Sequence, residues 1–146
     1  FYVDAKQATL DPLGAYLTAK IILDKLNGIE VDYIGGLTLG ADPISACVSL
    51  MSHDLKKPIS AFIVRKQQKE HGLKKEIEGI IKPNSKVVIV DDVITKGGAT
   101  LTAIKAVEKI GCKVVKVICV VDRQEGGAEA LRDYDFDPIF KKEELI

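Results

Sequence analysis

The sequence predicts a doubly wound, mostly parallel α/β sheet with helices on both faces, and three observations carry that prediction. Three apolar runs of strand length, ISAFIV at 59–64, VVIV at 87–90 and VVKVICVV at 114–121, are continuous enough to suggest strands covered on both sides. Between the last two, LTAIKAVEKIG sets Ala103, Ile104, Val107 and Ile110 on one side of a helix and Lys105, Glu108 and Lys109 on the other. A crossover of this length joins parallel strands with a right-handed connection, and repeating the unit builds an open sheet.

The chain begins at Phe1 in a strand-like segment, FYVDAK, and residues upstream of it are expected. Asp11-Pro12 supplies an N-cap and a first-turn proline. Ala15, Ala19, Ile22, Leu23 and Leu26 then share one helical face until Asn27-Gly28 ends the helix. VDYIGG reads as a short strand, LTLGAD as a turn, and about Pro43 to His53 as a second helix. Gly111 closes the helix that precedes the last apolar run.

At 146 residues, with 47% hydrophobic and 29% charged, the chain suits a single domain with its own core. The 21 basic residues balance 21 acidic ones, so no global field favours nucleic acid or an anionic membrane. Cys47, Cys112 and Cys119 lack metal-ligand spacing and sit in apolar surroundings, which predicts buried, reduced thiols and a cytoplasmic protein. No apolar run reaches membrane-spanning length. His53 reads as an exposed or capping residue, and Lys56-Lys57 and Lys141–Glu144 as solvated surface.

Ligands of such sheets sit beyond the carboxyl ends of the strands, so the chemistry is expected in four loops: LTLGAD, RKQQKEHGLKKE, DDVITKGGAT and DRQEGG. In KVVIVDDVITKGGAT, a strand feeds Thr95, Gly97, Gly98 and Thr100 into a helix. Backbone N–H groups and hydroxyls at the positive end of the helix dipole form a phosphate cradle. Neither G-x-x-x-x-G-K-[ST] nor G-x-G-x-x-G is present, so the ligand differs from the common nucleotides. Asp91 and Asp92 beside that cradle would repel a bare anion, but they suit ribose hydroxyls or a magnesium ion carried by the ligand. A sugar phosphate is implied. Arg65 to Lys75 carries five Lys/Arg against one glutamate with Gly72 as a hinge, as a lid over an anion would. Arg123 reads either as a structural ion pair or as a guanidinium fork for a planar carboxylate.

DDVITKGGAT after four apolar residues resembles the phosphoribosyl diphosphate (PRPP) motif of the type I phosphoribosyltransferases. FYVD at 1–4, RKQQKEHG at 65–72 and VDRQEGG at 121–127 narrow the resemblance to the orotate phosphoribosyltransferases, across nearly the whole chain. The resemblance implies that fold, with an incomplete N-terminal hood, and the reaction of orotate with PRPP to give orotidine 5′-monophosphate and pyrophosphate in pyrimidine biosynthesis. It assigns Asp91, Asp92, Val93, Ile94, Thr95, Lys96, Gly97, Gly98 and Ala99 to PRPP, together with Arg65, Lys66, Lys69 and His71 of the lid. Lys69, His71, Asp91 and Asp92 carry the catalysis, and Tyr2, Val3, Thr95 and Arg123 hold orotate. It further implies Mg²⁺ held mainly by PRPP and water, and a homodimer in which the Arg65–Gly72 loop reaches the neighbouring site. GGLTLGAD lacks the lysine that some relatives carry, which leaves Gly36 to Gly40 to bind pyrophosphate through backbone N–H groups. A purine phosphoribosyltransferase would share DDVITKGGAT but not FYVD with DRQE. A PRPP-sensing regulator would be expected to show a nucleic-acid surface, of which the balanced charge gives no sign.

Overall fold

The computed structural model describes residues 4–66 and 76–146. Its strands are β1 (Tyr33–Leu37), β2 (Ser60–Val64), β3 (Ile77–Glu78), β4 (Lys86–Ile94), β5 (Lys113–Asp122) and β6 (Phe140–Lys141). They form one sheet in the order β3-β2-β1-β4-β5-β6. Every neighbouring pair is parallel except β2 with β3 at the edge, where Ile63 faces Glu78 and Val64 faces Ile77. The helices are α1 (Lys6–Thr9), α2 (Pro12–Lys25), α3 (Ala41–Met51), α4 (Gly98–Lys109) and α5 (Gly127–Ala130).

Alternation along the central strands builds two cores. Val88 and Val90 of β4, with Ile118 and Val120 of β5, pack with Ala19 and Ile22 of α2 and Ile44 and Val48 of α3. Val87 and Ile89, with Val117 and Cys119, pack instead with Ala103, Ile104 and Val107 of α4. Because side chains alternate across a sheet, each continuous apolar run supplies both faces at once. The helices therefore cover both sides, as the apolar runs predict.

Local signals explain most boundaries. Asp11 Oδ2 accepts the Gly14 N–H at 2.9 Å, capping α2 at the predicted place. Gly111 follows α4 with φ of 86°, a left-handed conformation that costs glycine little. Buried Lys116 stands inside the β5 run, where Asp135 Oδ2 at 3.0 Å and Asp137 Oδ2 at 3.3 Å accept from its ammonium. Lys25 also donates to Asp137, at 2.8 Å.

Several expectations need correction. The described part of FYVDAK is not strand: Asp4 Oδ1 accepts the Lys6 N–H at 3.2 Å and the chain turns into α1, helped by the helix-favouring Ala5, Lys6, Gln7 and Ala8. The second helix starts at Ala41, because Pro43 falls in the first turn, where its missing N–H costs nothing. Cys47 is half-buried, while Cys112 and Cys119 are buried as expected. His53 is exposed, in a 3₁₀ turn after α3. The strand expected at 87–90 continues to Ile94, with Asp91 opposite Cys119 and Ile94 opposite Asp122, so the acid pair lies within β4 and not in the loop after it. Polar residues at 91 and 92 hide that extension from a hydrophobic reading. Among the described residues, no helix is long and apolar enough to cross a membrane.

Candidate functional site

With β2, β1, β4 and β5 parallel and adjacent, the loops following Leu37, Val64, Ile94 and Asp122 leave the same edge of the sheet. Helices α3 and α4, which follow β1 and β4, pack on opposite faces. The chain therefore changes direction between these two strands, which opens a crevice at their carboxyl ends.

The β4 side of that crevice holds a pocket of about 210 Å³ lined by Asp91 and by Val93 through Thr100. Gly97 occupies a left-handed conformation, φ 91°, and caps α4 without a side chain. The first N–H groups of α4 are thus left to face a ligand. The Thr100 side-chain oxygen is buried with no hydrogen-bond partner among the described residues, although it belongs to a residue of the pocket wall. A buried hydroxyl without a partner is costly, and an anion in this pocket would satisfy it. Val93 and Ile94 turn their side chains into the two cores, so what they offer the pocket is backbone. Lys96 is exposed at the rim.

The acid pair is tightly built. Asp91 Oδ1 accepts the Asp92 N–H at 2.8 Å, and Asp92 Oδ1 accepts the Val93 N–H at 2.8 Å. Gly40, in the turn after β1, lies so close that an added β-carbon would overlap both Oδ1 atoms. Lys6 Nζ donates to Asp92 Oδ2 at 2.6 Å. Burial, then a hydrogen bond and repulsion from Asp92, push the Asp91 carboxyl up to about 8. Burial also works against the Asp92 anion, but the Lys6 ammonium, the hydrogen bond with Asp91 and the Val93 N–H outweigh it and hold its pKa below the ordinary carboxylate value. The two neighbours are therefore pushed in opposite directions, Asp91 toward its protonated form and Asp92 toward its anion.

Arg123 follows β5, its N–H bonded to the Ile94 carbonyl at 3.0 Å and its Nε facing Glu125 Oε2 at 3.0 Å. The ion pair anticipated as one reading is therefore present, and the Arg123 backbone lies beside the carboxyl end of β4. Gly126 turns the chain with φ of 108°, and Gly127 lets α5 lie against the turn after β4: a β-carbon at Gly127 would overlap the Ile94 side chain, and one at Gly97 would press on Ala130. Arg65 leaves β2 with its N–H on the Glu76 carbonyl at 2.8 Å and its Nη1 on Glu78 Oε2 at 3.0 Å, while Lys66 is exposed. Tyr2, Val3, Lys69 and His71 lie outside the described residues.

The structure thus gathers Asp91 to Ala99 at one pocket and places Arg123 one hydrogen bond from it, while Arg65 and Lys66 stand beyond β1 at the end of β2. Sequence reasoning left Lys6 unassigned, took Gly40 only as part of a backbone site for pyrophosphate, and gave the α5 glycines no role. Only contacts remote in sequence reveal the first two, whereas the double glycine after DRQE was a readable signal of close approach. A larger cavity of about 620 Å³, bordered by Gly28, Glu30 and Lys56, opens at the amino ends of β1 and β2 and contains none of the predicted residues. A ligand-sized volume alone does not mark the chemistry, so the smaller pocket at the strands' carboxyl ends is the candidate.

Comparison with known proteins agrees with this geometry. Residues 14–142 match the phosphoribosyl transferase domain. Over 148 aligned residues the chain is 42% identical to the orotate phosphoribosyltransferase of Aquifex aeolicus, covering 100% of this chain and 81% of that protein. It superposes with a TM-score of 0.86 on Mycobacterium tuberculosis orotate phosphoribosyltransferase in complex with Fe(III) dicitrate, at 36% identity, covering 99% and 82% of the two chains. The same enzyme in complex with PRPP gives 0.86 at 34% identity, covering 99% and 83%. The chain belongs to the phosphoribosyl transferase family and has its type I fold.

Proposed function

We propose, from that membership, that the chain is an orotate phosphoribosyltransferase, joining orotate to PRPP to give orotidine 5′-monophosphate and pyrophosphate in pyrimidine biosynthesis. The observation that carries this reading is the shared wall of the pocket, where the orphaned Thr100 hydroxyl and the Asp91 carboxyl border one space. A sugar bearing a terminal phosphate satisfies both.

In this reading the α4 N-terminus and residues Thr95 to Thr100 hold the 5′-phosphate, which fixes the furanose over the acid pair. Loss of pyrophosphate leaves a cation-like sugar, and the Asp92 anion stabilises that charge as it develops. Asp91, holding its proton, donates to or accepts from a ribose hydroxyl without adding a second negative charge beside the diphosphate. Arg123 receives the orotate carboxylate, with Thr95, Tyr2 and Val3 around the ring. Arg65, Lys66, Lys69 and His71 neutralise the departing diphosphate, in a homodimer whose loop reaches the neighbouring site. Magnesium would arrive with the diphosphate and water as part of the substrate. Free thiols at Cys47, Cys112 and Cys119 suit a reducing, cytoplasmic setting.

The test follows orotate absorbance with PRPP and Mg²⁺, alongside adenine, guanine and hypoxanthine. Consumption of orotate alone supports the assignment. Turnover of a purine instead would move the chain to another branch of the family, and PRPP binding without turnover of any base would make it a sensor.

A further inference from the structure

Among the described residues, Lys6 is the only group from outside β4 that the structure shows donating to the acid pair. It sits on α1, and the placement of α1 is not casual. Ala5 and Thr9, four apart on one face, are both buried, at 6% and 2% exposure, and Ala5 belongs to the core shared with α2 and α3. Gly14 of α2 meets the Ala8 carbonyl so closely that a β-carbon there would overlap it. A single helical turn of four residues is too short to hold itself, so these contacts fix where its lysine points. From that anchor Lys6 spans 86 residues of sequence to reach Asp92 Oδ2.

The partners of Asp92 define its orientation. Oδ1 is tied to the Val93 N–H and packed under Gly40, and Oδ2 is tied to Lys6. Removing Lys6 would free Oδ2 and leave two buried, adjacent carboxyls to share whatever charge remains, with only the Val93 N–H and the bond between the two carboxyls still favouring the anion at Asp92. We propose that Lys6 is a positioning residue for phosphoribosyl transfer: its ammonium, held by α1, turns Asp92 toward the crevice and keeps the negative charge on that carboxylate instead of on Asp91. The proposal rests on the reading of the site as a phosphoribosyltransferase. In the alternative, Lys6 is a placeholder that ribose hydroxyls must displace. The two accounts predict opposite effects on binding, which makes them separable.

The experiment compares wild type, Lys6→Met and Lys6→Arg on the full chain, reading kcat and KM for PRPP and for orotate, PRPP affinity by calorimetry, and the thermal midpoint. Methionine keeps the length of the side chain and removes its charge. Because the lost interaction acts on the transition state, Lys6→Met should lower kcat by about 10- to 30-fold with PRPP affinity changed less than about threefold. Arginine should restore kcat to within about threefold of wild type. A Lys6→Met enzyme with unchanged kcat, or one that binds PRPP more tightly, overturns the proposal. So does a kcat loss that merely tracks the folded fraction and is not rescued by arginine. Gly14→Ala gives a second route, since displacing α1 should reproduce the same kcat loss with Lys6 intact. If wild type itself turns over no orotate, it is the assignment of the reaction that fails, and the calorimetric arm still reports whether Lys6 competes with PRPP.

Discussion

Replacing Asp91 by asparagine should make the protein relatively more stable as pH rises. In the native fold Asp91 keeps its proton to about 8, against an ordinary value of 3.8, with burial as the main cause. Between those values the native state binds one more proton than the unfolded chain. The stability linked to this group is complete below the ordinary value, and it drains as pH climbs through the native one. Each pH unit in that window removes about 1.4 kcal/mol, so from pH 5 to pH 7 the group forfeits at most about 3 kcal/mol. Asparagine copies the protonated acid in shape and in having a donor, and it does not titrate. The difference in unfolding free energy, variant minus wild type, should therefore grow between pH 5 and pH 7 by about 1–3 kcal/mol. Taking the difference cancels the titrating groups that do not touch Asp91, and Asp92, held below the ordinary carboxylate value, is ionised throughout this window. Urea unfolding at half-unit intervals measures it, with the slope against urea checked for constancy. A difference that stays flat, or shrinks as pH rises, would show that Asp91 ionises normally, and the division of roles within the acid pair would fall with it.

Three further outcomes follow from single contacts. Thr100→Val removes a buried hydroxyl that lacks a partner among the described residues, so the thermal midpoint should hold or rise slightly, while calorimetry should show PRPP or inorganic phosphate binding weakened about fivefold, the worth of one hydrogen bond. Gly40→Ala drives a methyl into Asp91 Oδ1 and Asp92 Oδ1, which costs about 1–3 kcal/mol by chemical denaturation and should depress kcat beyond what the stability loss explains. Lys116→Met leaves carboxylates that water can still reach, Asp135 at 60% and Asp137 at 32% side-chain exposure, so melting should report a loss nearer about 1 kcal/mol than the several expected of a sealed pair, with kcat unchanged.

The central strands of the sheet and its three long helices were legible because periodicity and caps act locally. Asp11-Pro12 and Gly111 mark helix ends by backbone chemistry that needs no distant partner. The turn after β4 was legible for the same reason, since Thr95 to Thr100 lie within one connection. What escaped is long-range. No pattern around position 6 announces that its ammonium meets position 92, and nothing in LTLGAD shows that Gly40 must be bare because two carboxylates occupy the space of its β-carbon. The short edge strands β3 and β6, two residues each, carry too little sequence to show a period. The end of β4 was hidden for a functional reason: a strand that carries its chemistry stops looking like a strand.

Charge balance separates two polar clusters of this fold. At Lys116 the count closes, because Lys116 and Lys25 meet Asp135 and Asp137, two cations against two anions, and nothing further is needed for the free protein to be stable. At the head of the crevice it does not close: Asp91 and Asp92 have only Lys6 between them among the described residues. The free protein makes up the shortfall with a proton on Asp91. A site that lacks one positive charge next to a phosphate cradle is suited to a ligand with a fixed anionic end and a centre that becomes positive during reaction, because the missing charge then appears in the transition state and not before it. That timing explains why the pair can remain deficient: a second lysine beside Asp91 would stabilise the resting protein and oppose the sugar cation by repulsion. The deficit and the cradle belong to one design, which is why Lys6, the single compensating charge, is the residue whose removal should be felt in kcat before it is felt in folding.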